Sequence, residues 1–235
     1  MCFSYSVNLQ GKTIPTDLNI SSANNSHQLG FFFNGFDHPN LPIISKIGET
    51  EIAQWGIIPK WIKSNHEAVE ISNKTLNARI ESIENKPSFS EAWKNNPCLI
   101  LASGFFEWQH RNNNKNPFYI FPKNNEVLLF GGIFSDWFDP INSKWMRSYS
   151  IITKEANSLM AEIHNTKKRM PLIIPHHFAK EWILGDCKQR FLLSKENSEN
   201  YLTAHEVDPR LNSPKNKRNE AWAIQKYIPP QTTLF

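Results

Sequence analysis

Short runs of β-branched and aromatic residues, bounded by Asn, Pro, Gly and Lys, recur through the middle of the chain and predict β-strands. They are EIAQWGIIP (51–59), NKTLNARIE (73–81), CLILASGFFEWQH (98–110), NPFYIFP (116–122), EVLLFGGIFSDW (126–137), RSYSIIT (147–153) and MPLIIP (170–175). The fourth and fifth runs meet at Lys-Asn-Asn-Glu (123–126). Because Asn tolerates the left-handed backbone of tight turns, we expect these two strands to form a hairpin.

A helical spacing of apolar residues marks three other segments, SFSEAWKNN (88–96), KEANSLMAEIHN (154–165) and HHFAKEWILGD (176–186). In the second segment, Ala156, Leu159, Met160 and Ile163 share one face. Helices come singly and consecutive strands are joined mostly by turns. The pattern therefore favours an α+β fold, a single domain with a largely antiparallel, curved or barrel-like β-sheet and a few peripheral helices.

The composition is that of a globular protein, with 235 residues of which 40% are apolar. No apolar run approaches the roughly 20 residues needed to cross a bilayer, and residues 1–20 lack the features of a signal peptide, so we expect a cytoplasmic protein. Three cysteines, Cys2, Cys98 and Cys187, are odd in number and widely spaced. That spacing argues against a disulfide framework and against a clustered zinc site.

The net charge of +4 is mildly basic, which is compatible with a polyanionic partner and also with an ordinary enzyme. From residue 207 onwards the chain is rich in Pro, Asn and charged residues. This segment is expected to be irregular, either strapped across the domain or loose at its end.

Cys2 follows Met1, so removal of Met1 would leave an α-amine and a thiol on adjacent carbons. The pKa of an α-amine is normally about 7.7–8.0, and that of a cysteine thiol is about 8.5. An amine condenses with an aldehyde to an imine, and a neighbouring thiolate then closes a thiazolidine ring. The residue type alone leaves open an ordinary, small, buried cysteine.

Further candidates lie in short motifs. Glu107, in Gly-Phe-Phe-Glu-Trp, either has a pKa raised by its apolar surroundings or faces solvent from an edge strand. Asn77 and Arg79 would share one side of a strand and could face one ligand, although a surface ion pair also explains Arg79. His164 is expected to end a helix, followed by a basic cluster that either binds a ligand or complements the helix dipole. Thr153 is a further candidate and stands at the end of a predicted strand.

The order of these motifs resembles the SRAP family (SOS-response-associated peptidase), the abasic-site processing proteins. The matching strings are Met-Cys, Asn-Ala-Arg, Gly-Phe-Phe-Glu-Trp, Thr-x-x-Ala-Asn, Ile-His and Arg-Met-Pro, with WGIIPKW and the closing HEVDPRLNSPKNKRNEAW. The resemblance implies an SRAP-like domain over residues 1–225 and an irregular tail over 226–235.

The resemblance also implies the chemistry. Cys2 would form a thiazolidine with the aldehyde of an abasic deoxyribose in single-stranded DNA. Glu107 would move protons and assist release of Met1, Asn77 would hold the amine or the sugar, and His164 would donate a proton and contact phosphate. A lyase side activity would follow from the imine, and no metal or cofactor is required. We expect a monomer without membrane partners, associated with the nucleoid.

DNA contacts are implied for Arg79, Trp61, Thr153, Arg169 and Lys168, and binding should be sequence-tolerant and salt-sensitive. Further aromatic candidates for stacking or wedging are Trp55, Phe105 and Phe106, of which Trp55 is less favoured than Trp61 because most tryptophans in strand-rich folds are core residues.

Two departures from the family pattern stand out. Phe3 and Ser4 replace a usual Gly-Arg, which leaves the aminothiol intact but weakens one DNA contact. Four residues, NTKK (165–168), replace a single one between His164 and Arg-Met-Pro. The placement of Arg169 is therefore open, and Lys167 or Lys168 could take over its phosphate.

The chain ends in QTTLF, and Gln231, Leu234 and Phe235 resemble the peptide by which bacterial repair proteins bind the sliding clamp. Two other functions stay open. One is an N-terminal-nucleophile amidohydrolase or peptidase that uses the same Cys2 thiol. The other is a non-catalytic module that binds single-stranded or modified DNA, in which Cys2 has no chemical role.

Overall fold

The computed structural model describes residues 2–18, 30–195 and 201–230. The strands in these residues are β1 Ser4–Val7, β2 Gly30–Asn34, β3 Asn40–Lys46, β4 Glu49–Trp55, β5 Asn77–Arg79, β6 Pro97–Ala102, β7 Gly104–Arg111, β8 Asn114–Pro122, β9 Leu128–Asp139, β10 Lys144–Glu155, β11 Arg169–Pro171 and β12 Leu202–Glu206. The α-helices are α1 Asn65–Lys74, α2 Ser90–Asn95, α3 Ser158–Ile163, α4 Ala179–Leu184 and α5 Cys187–Leu193.

Five of these strands close into a barrel. The long strand β10 pairs with β9 along one edge and with β4 along the other, and β3 and β6 complete the ring in the order β10-β4-β3-β6-β9. The short strands β5 and β11 also pair with β10. The pairings of β10 with β4 and β5 are parallel and the others are antiparallel. The predicted α+β fold with a largely antiparallel, barrel-like sheet is confirmed.

A second, antiparallel sheet has the strand order β12-β8-β7-β1-β2. One face packs on the barrel, because Tyr5, Phe105 and Ile120 belong to the same buried cluster as the barrel strands. The opposite face carries Phe32 and Phe106, which form a separate cluster with the C-terminal segment. Alternate residues of each strand therefore serve two different cores.

Residues 207–225, called the strap from here on, cover that outer face. Val207, Leu211 and Ala223 are buried against it. The Asn219 side chain accepts hydrogen bonds from the amides of Phe31 at 2.7 Å and Phe32 at 3.1 Å. Of the two arrangements left open by the sequence, the strapped one is found. The division at residue 225 stays a prediction.

The predicted hairpin over residues 116–137 is wrong, because β8 lies in the second sheet and β9 in the barrel. The turn residues between them bond instead to an earlier segment: the Thr13 amide donates to the Asn125 carbonyl at 2.9 Å. The true hairpin joins β7 to β8. Its turn contains Asn112 and Asn113 with φ values of 46° and 64°, the left-handed conformation that Asn tolerates.

Other elements were predicted in part. The run 98–110 corresponds closely to the two strands β6 and β7. The run 73–81 contains only the three residues of β5, and the run 170–175 contains only the last two residues of β11. Helix α1, which the sequence pattern did not predict, lies mostly before the run 73–81 and overlaps only its first two residues. Its N-cap is Ser64, whose side chain accepts from the Glu67 amide. None of the helices in the described residues is both long and apolar enough to cross a membrane.

Candidate active site

The pairing of β1 with β7 brings the start of the chain to Glu107. Tyr5 lies opposite Phe105, so extending this antiparallel register by two residues sets Phe3 opposite Glu107. On the other side, the Phe3 carbonyl accepts from the Gly35 amide at 2.8 Å. Cys2 is therefore held at the end of a paired strand, and it is fully buried.

Asn77 contacts Cys2 from a different sheet. Strand β5 pairs with β10, and from it the Asn77 Nδ2 atom donates to the Cys2 carbonyl at 2.9 Å. The Asn77 Oδ1 atom is buried and has no hydrogen-bond partner among the described residues. A buried amide oxygen without a partner is costly, so this atom is suited to accept a hydrogen bond from a substrate or an amine.

Glu107 points toward the barrel side of β7. Its neighbours Phe106 and Trp108 face the strap, and the alternation of the strand places Glu107 on the opposite face, where it is 4% exposed. Burial raises the pKa of Glu107 to about 8, while the charges of the amino terminus and Lys167 oppose the rise. A carboxyl group with this pKa can take up and release a proton near neutral pH.

His164 is the C-cap residue of α3 and lies against Glu107, with 3.8 Å between its Nδ1 and Glu107 Oε1. The Nδ1 atom donates to the Arg169 carbonyl at 2.8 Å, a bond that selects the tautomer with its proton on Nδ1. Burial lowers the pKa of His164, although the bond to Arg169 opposes this. The imidazole is therefore neutral at neutral pH.

The Cys2 thiol is protonated at neutral pH. Burial raises its pKa, the Glu107 carboxylate raises it further, and the positive charge of the amino terminus acts in the opposite direction. The thiol donates to the Ser4 carbonyl with a separation of 3.6 Å. Because a thiolate is the reactive form, a base has to take this proton during any reaction, and the ionised form of Glu107, which is the minor form at neutral pH, is the buried base nearby.

Arg169 directly follows the turn after His164, and its side chain contacts Thr153. The Arg169 guanidinium binds both carboxylate oxygens of Glu81, at 2.6 and 3.0 Å, and donates to the Thr153 carbonyl at 2.7 Å. Thr153 is fully buried and Arg169 is 9% exposed. The DNA contacts predicted for these two residues stay predictions, and Glu81 is a partner that the sequence analysis missed.

The other residues predicted to contact DNA are either exposed or buried in the structure. The side chains of Arg79, Trp61 and Lys168 face solvent, and Trp61 is 51% exposed. The buried aromatic candidates are Trp55, Phe105 and Phe106. None of these three rings presents a face to solvent, and their stacking on bases or wedging beside the sugar stays a prediction.

Asn165 was also missed, although it directly follows His164 in the sequence. Its side chain contacts the backbone of β7 at His110. The predicted clamp-binding residues 231–235 lie outside the described residues. Within the described residues, no group of three or more His, Cys, Asp or Glu side chains could hold a metal ion.

The fold and the site together define a class: a barrel protein whose second residue is a cysteine, placed beside a buried carboxyl group with a pKa suited to proton transfer. The family profile of the SOS response associated peptidase (SRAP) matches residues 1–214. The chain belongs to this family.

Relatives and solved structures agree with this assignment. The abasic site processing protein YoaM of Bacillus subtilis is 33% identical over 181 residues, which cover 74% of this chain and 75% of YoaM. The abasic site processing protein HMCES of Xenopus tropicalis is 28% identical over 190 residues, but they cover only 56% of that protein. A crystal structure of a Bacteroides thetaiotaomicron protein has a TM-score of 0.86 at 29% identity and covers 97% of this chain.

Proposed function

We propose that this chain processes abasic sites in single-stranded DNA by capturing them covalently on Cys2. The observation that carries the proposal is the convergence of Cys2, Asn77, Glu107 and His164, which come from the segment before β1, the strands β5 and β7, and the end of α3. Membership of the SRAP family and the names of the relatives YoaM and HMCES support the substrate class.

The chemistry begins with hydrolysis of the Met1–Cys2 peptide bond, which consumes one water and frees the α-amine of Cys2. The amine attacks the aldehyde carbon of the ring-opened sugar, and loss of one water leaves an imine. The Cys2 sulfur then adds to the imine carbon while its proton moves to the imine nitrogen, which closes a thiazolidine. The capture thus releases one water in total and needs no oxidant, reductant or cofactor.

Glu107 has the position and the pKa, about 8, for the proton transfers in these steps. It can give a proton to the departing hydroxyl during imine formation, and afterwards carry the thiol proton to the imine nitrogen. Asn77 fixes the Cys2 carbonyl and keeps its Oδ1 atom for the amine or a sugar hydroxyl. Neutral His164 contributes a second group for proton transfer to the sugar. If the imine instead loses its 3′ phosphate by β-elimination, the strand is cut, and a lyase side activity results.

Binding would rest on charge and stacking, because an abasic site has no base to read. Arg79, Lys168 and Trp61 are exposed and suited to phosphate contacts and to stacking on a neighbouring base. We propose that the protein acts as a monomer in the cytoplasm at the nucleoid.

The test is to incubate the protein lacking Met1 with a single-stranded oligonucleotide that carries one abasic site. We expect a heat-stable shifted band on a denaturing gel and an intact mass equal to protein plus DNA less one water. An oligonucleotide with a tetrahydrofuran residue, which has no aldehyde, should give no band. Absence of the band with the abasic oligonucleotide would overturn the proposal and leave the amidohydrolase open.

Cysteine variants separate the roles of the amine and the thiol. Cys2→Ala should lose the heat-stable product and retain non-covalent binding. Cys2→Ser should give a product only after reduction with borohydride, because it still forms the imine. Cys187→Ala, which alters a cysteine of α5, is the matched control and should react normally. Equal binding of abasic and intact DNA by wild type and Cys2→Ala, without a covalent product, would favour the non-catalytic module.

A further inference from the structure

The turn formed by residues 165–168 is fastened to β7 by one side chain. The Asn165 side chain accepts from the His110 amide at 3.1 Å and donates to the His110 carbonyl at 2.9 Å. It thus satisfies both polar backbone groups of one strand residue, as a neighbouring strand would. A third bond joins β7 to α3, the helix before the turn, because Gln109 Nε2 donates to the Glu162 carbonyl at 3.0 Å.

The shape of this turn determines where His164 points. The Lys168 amide donates to the His164 carbonyl at 2.8 Å, with Lys168 in a left-handed conformation at φ 47°. Directly after it, the Arg169 carbonyl accepts from the His164 ring at 2.8 Å. The C-terminal end of the turn therefore makes two hydrogen bonds to His164, and any movement of the turn would move the carbonyl that holds the imidazole.

We propose that Asn165 is a positioning residue that holds His164 against Glu107. The inference rests on the function proposed above, since it assigns a role within the same site. His110, to which Asn165 bonds, follows Glu107 on the same strand β7. The same two bonds therefore join the strand that carries the carboxyl group to the turn that directly follows the imidazole residue.

The four residues of this turn are exposed, and an exposed turn of this length costs conformational entropy to hold in one shape. The two bonds of Asn165 offset part of that cost. Charged and titratable groups around His164 are Glu107 and His110 on β7, Lys167 in the turn, and the amino terminus. A looser turn would expose the imidazole to water and move its pKa up toward its ordinary value.

The first experiment compares Asn165→Ala with Thr166→Ala, a change in the same exposed turn. At saturating abasic DNA, Asn165→Ala should lower the rate constant of crosslinking about tenfold, and Thr166→Ala should leave it unchanged. Affinity for the tetrahydrofuran oligonucleotide should be the same in both. Equal rates in the two variants, or a loss found only in affinity, would overturn the proposal.

The second experiment needs no crosslinking, so it distinguishes failure of this inference from failure of the proposed function. Nitrogen NMR of the His164 ring should show the Nδ1-protonated tautomer in wild type and in Thr166→Ala. In Asn165→Ala the tautomers should mix and the titration midpoint should rise. Asn165→Asp, which retains only the acceptor, should fall between. An unchanged ring spectrum in Asn165→Ala would overturn the inference.

Discussion

Replacing Glu107 by Gln should make the protein less sensitive to alkaline pH. The substituted amide would keep the shape of the side chain but could not ionise. In wild type, the folded state holds a proton on this carboxyl group up to a pKa of about 8, against an ordinary value of 4.5. The unfolded chain therefore ionises first, and the folded state loses stability as pH rises between these two values.

The size of the effect follows from this difference. At about 1.4 kcal/mol for each pKa unit, the rise from 4.5 to about 8 corresponds to at most about 5 kcal/mol of unfolding free energy. The stabilisation of the protonated folded state is full below pH 4.5 and is lost by pH 8. Glu107→Gln escapes this loss, so its advantage over wild type should grow with pH across this window.

Urea unfolding of wild type and Glu107→Gln at intervals from pH 5 to pH 9 measures the effect. Glu70→Gln, a change at an exposed position of α1, is the control and should follow wild type. Crosslinking by Glu107→Gln should meanwhile slow by about 10²–10⁴-fold, the usual contribution of general acid–base catalysis. Parallel stability curves for Glu107→Gln and wild type would refute the argument, because Glu107 would then ionise alike in both states.

Three other changes test the site and the tail. Trp61→Ala should alter the free energy of unfolding by less than about 0.5 kcal/mol and weaken binding to single-stranded DNA by about 1–3 kcal/mol, measured by fluorescence anisotropy; unchanged affinity would count against stacking. Arg169→Gln breaks the ion pair with Glu81, which is half exposed, and should lower the free energy of unfolding by about 2 kcal/mol, measured by urea unfolding. A negligible loss would mean that the ion pair does not stabilise the fold. Deleting residues 231–235 should weaken binding to a bacterial sliding clamp in surface plasmon resonance, and equal affinity would exclude the tail as the anchor.

The sequence predicted those strands whose signal is local. The run 98–110 shows dense apolar residues and divides at Ser103, between β6 and β7, which lie in different sheets. The hairpin prediction failed because Asn occurs at two turns, residues 112–113 and 124–125. Long-range contacts decide that the second turn is not a hairpin, because β8 and β9 pair in different sheets and the turn bonds to the distant Thr13.

The residue types of the site were predictable, but their partners were not. Cys2 and Glu107 meet through a strand pairing that joins positions about a hundred residues apart, and no local pattern encodes it. Glu81 pairs with Arg169 across 88 positions. Asn165 did have a local signal, since it follows His164 in the NTKK stretch, yet its partner is a backbone group, which any residue supplies.

The enclosure of Cys2 has a practical consequence for anyone producing this protein. A fusion partner or affinity tag joined ahead of Cys2 would have to reach solvent from a residue that is fully buried. The carbonyl of this residue is also hydrogen-bonded to Asn77. The opposite end offers a better attachment point, since Ile228, just past the strap, is 81% exposed. Purification tags should therefore be placed at the carboxyl end. Protein tagged ahead of Cys2 is expected to be inactive even when it folds correctly.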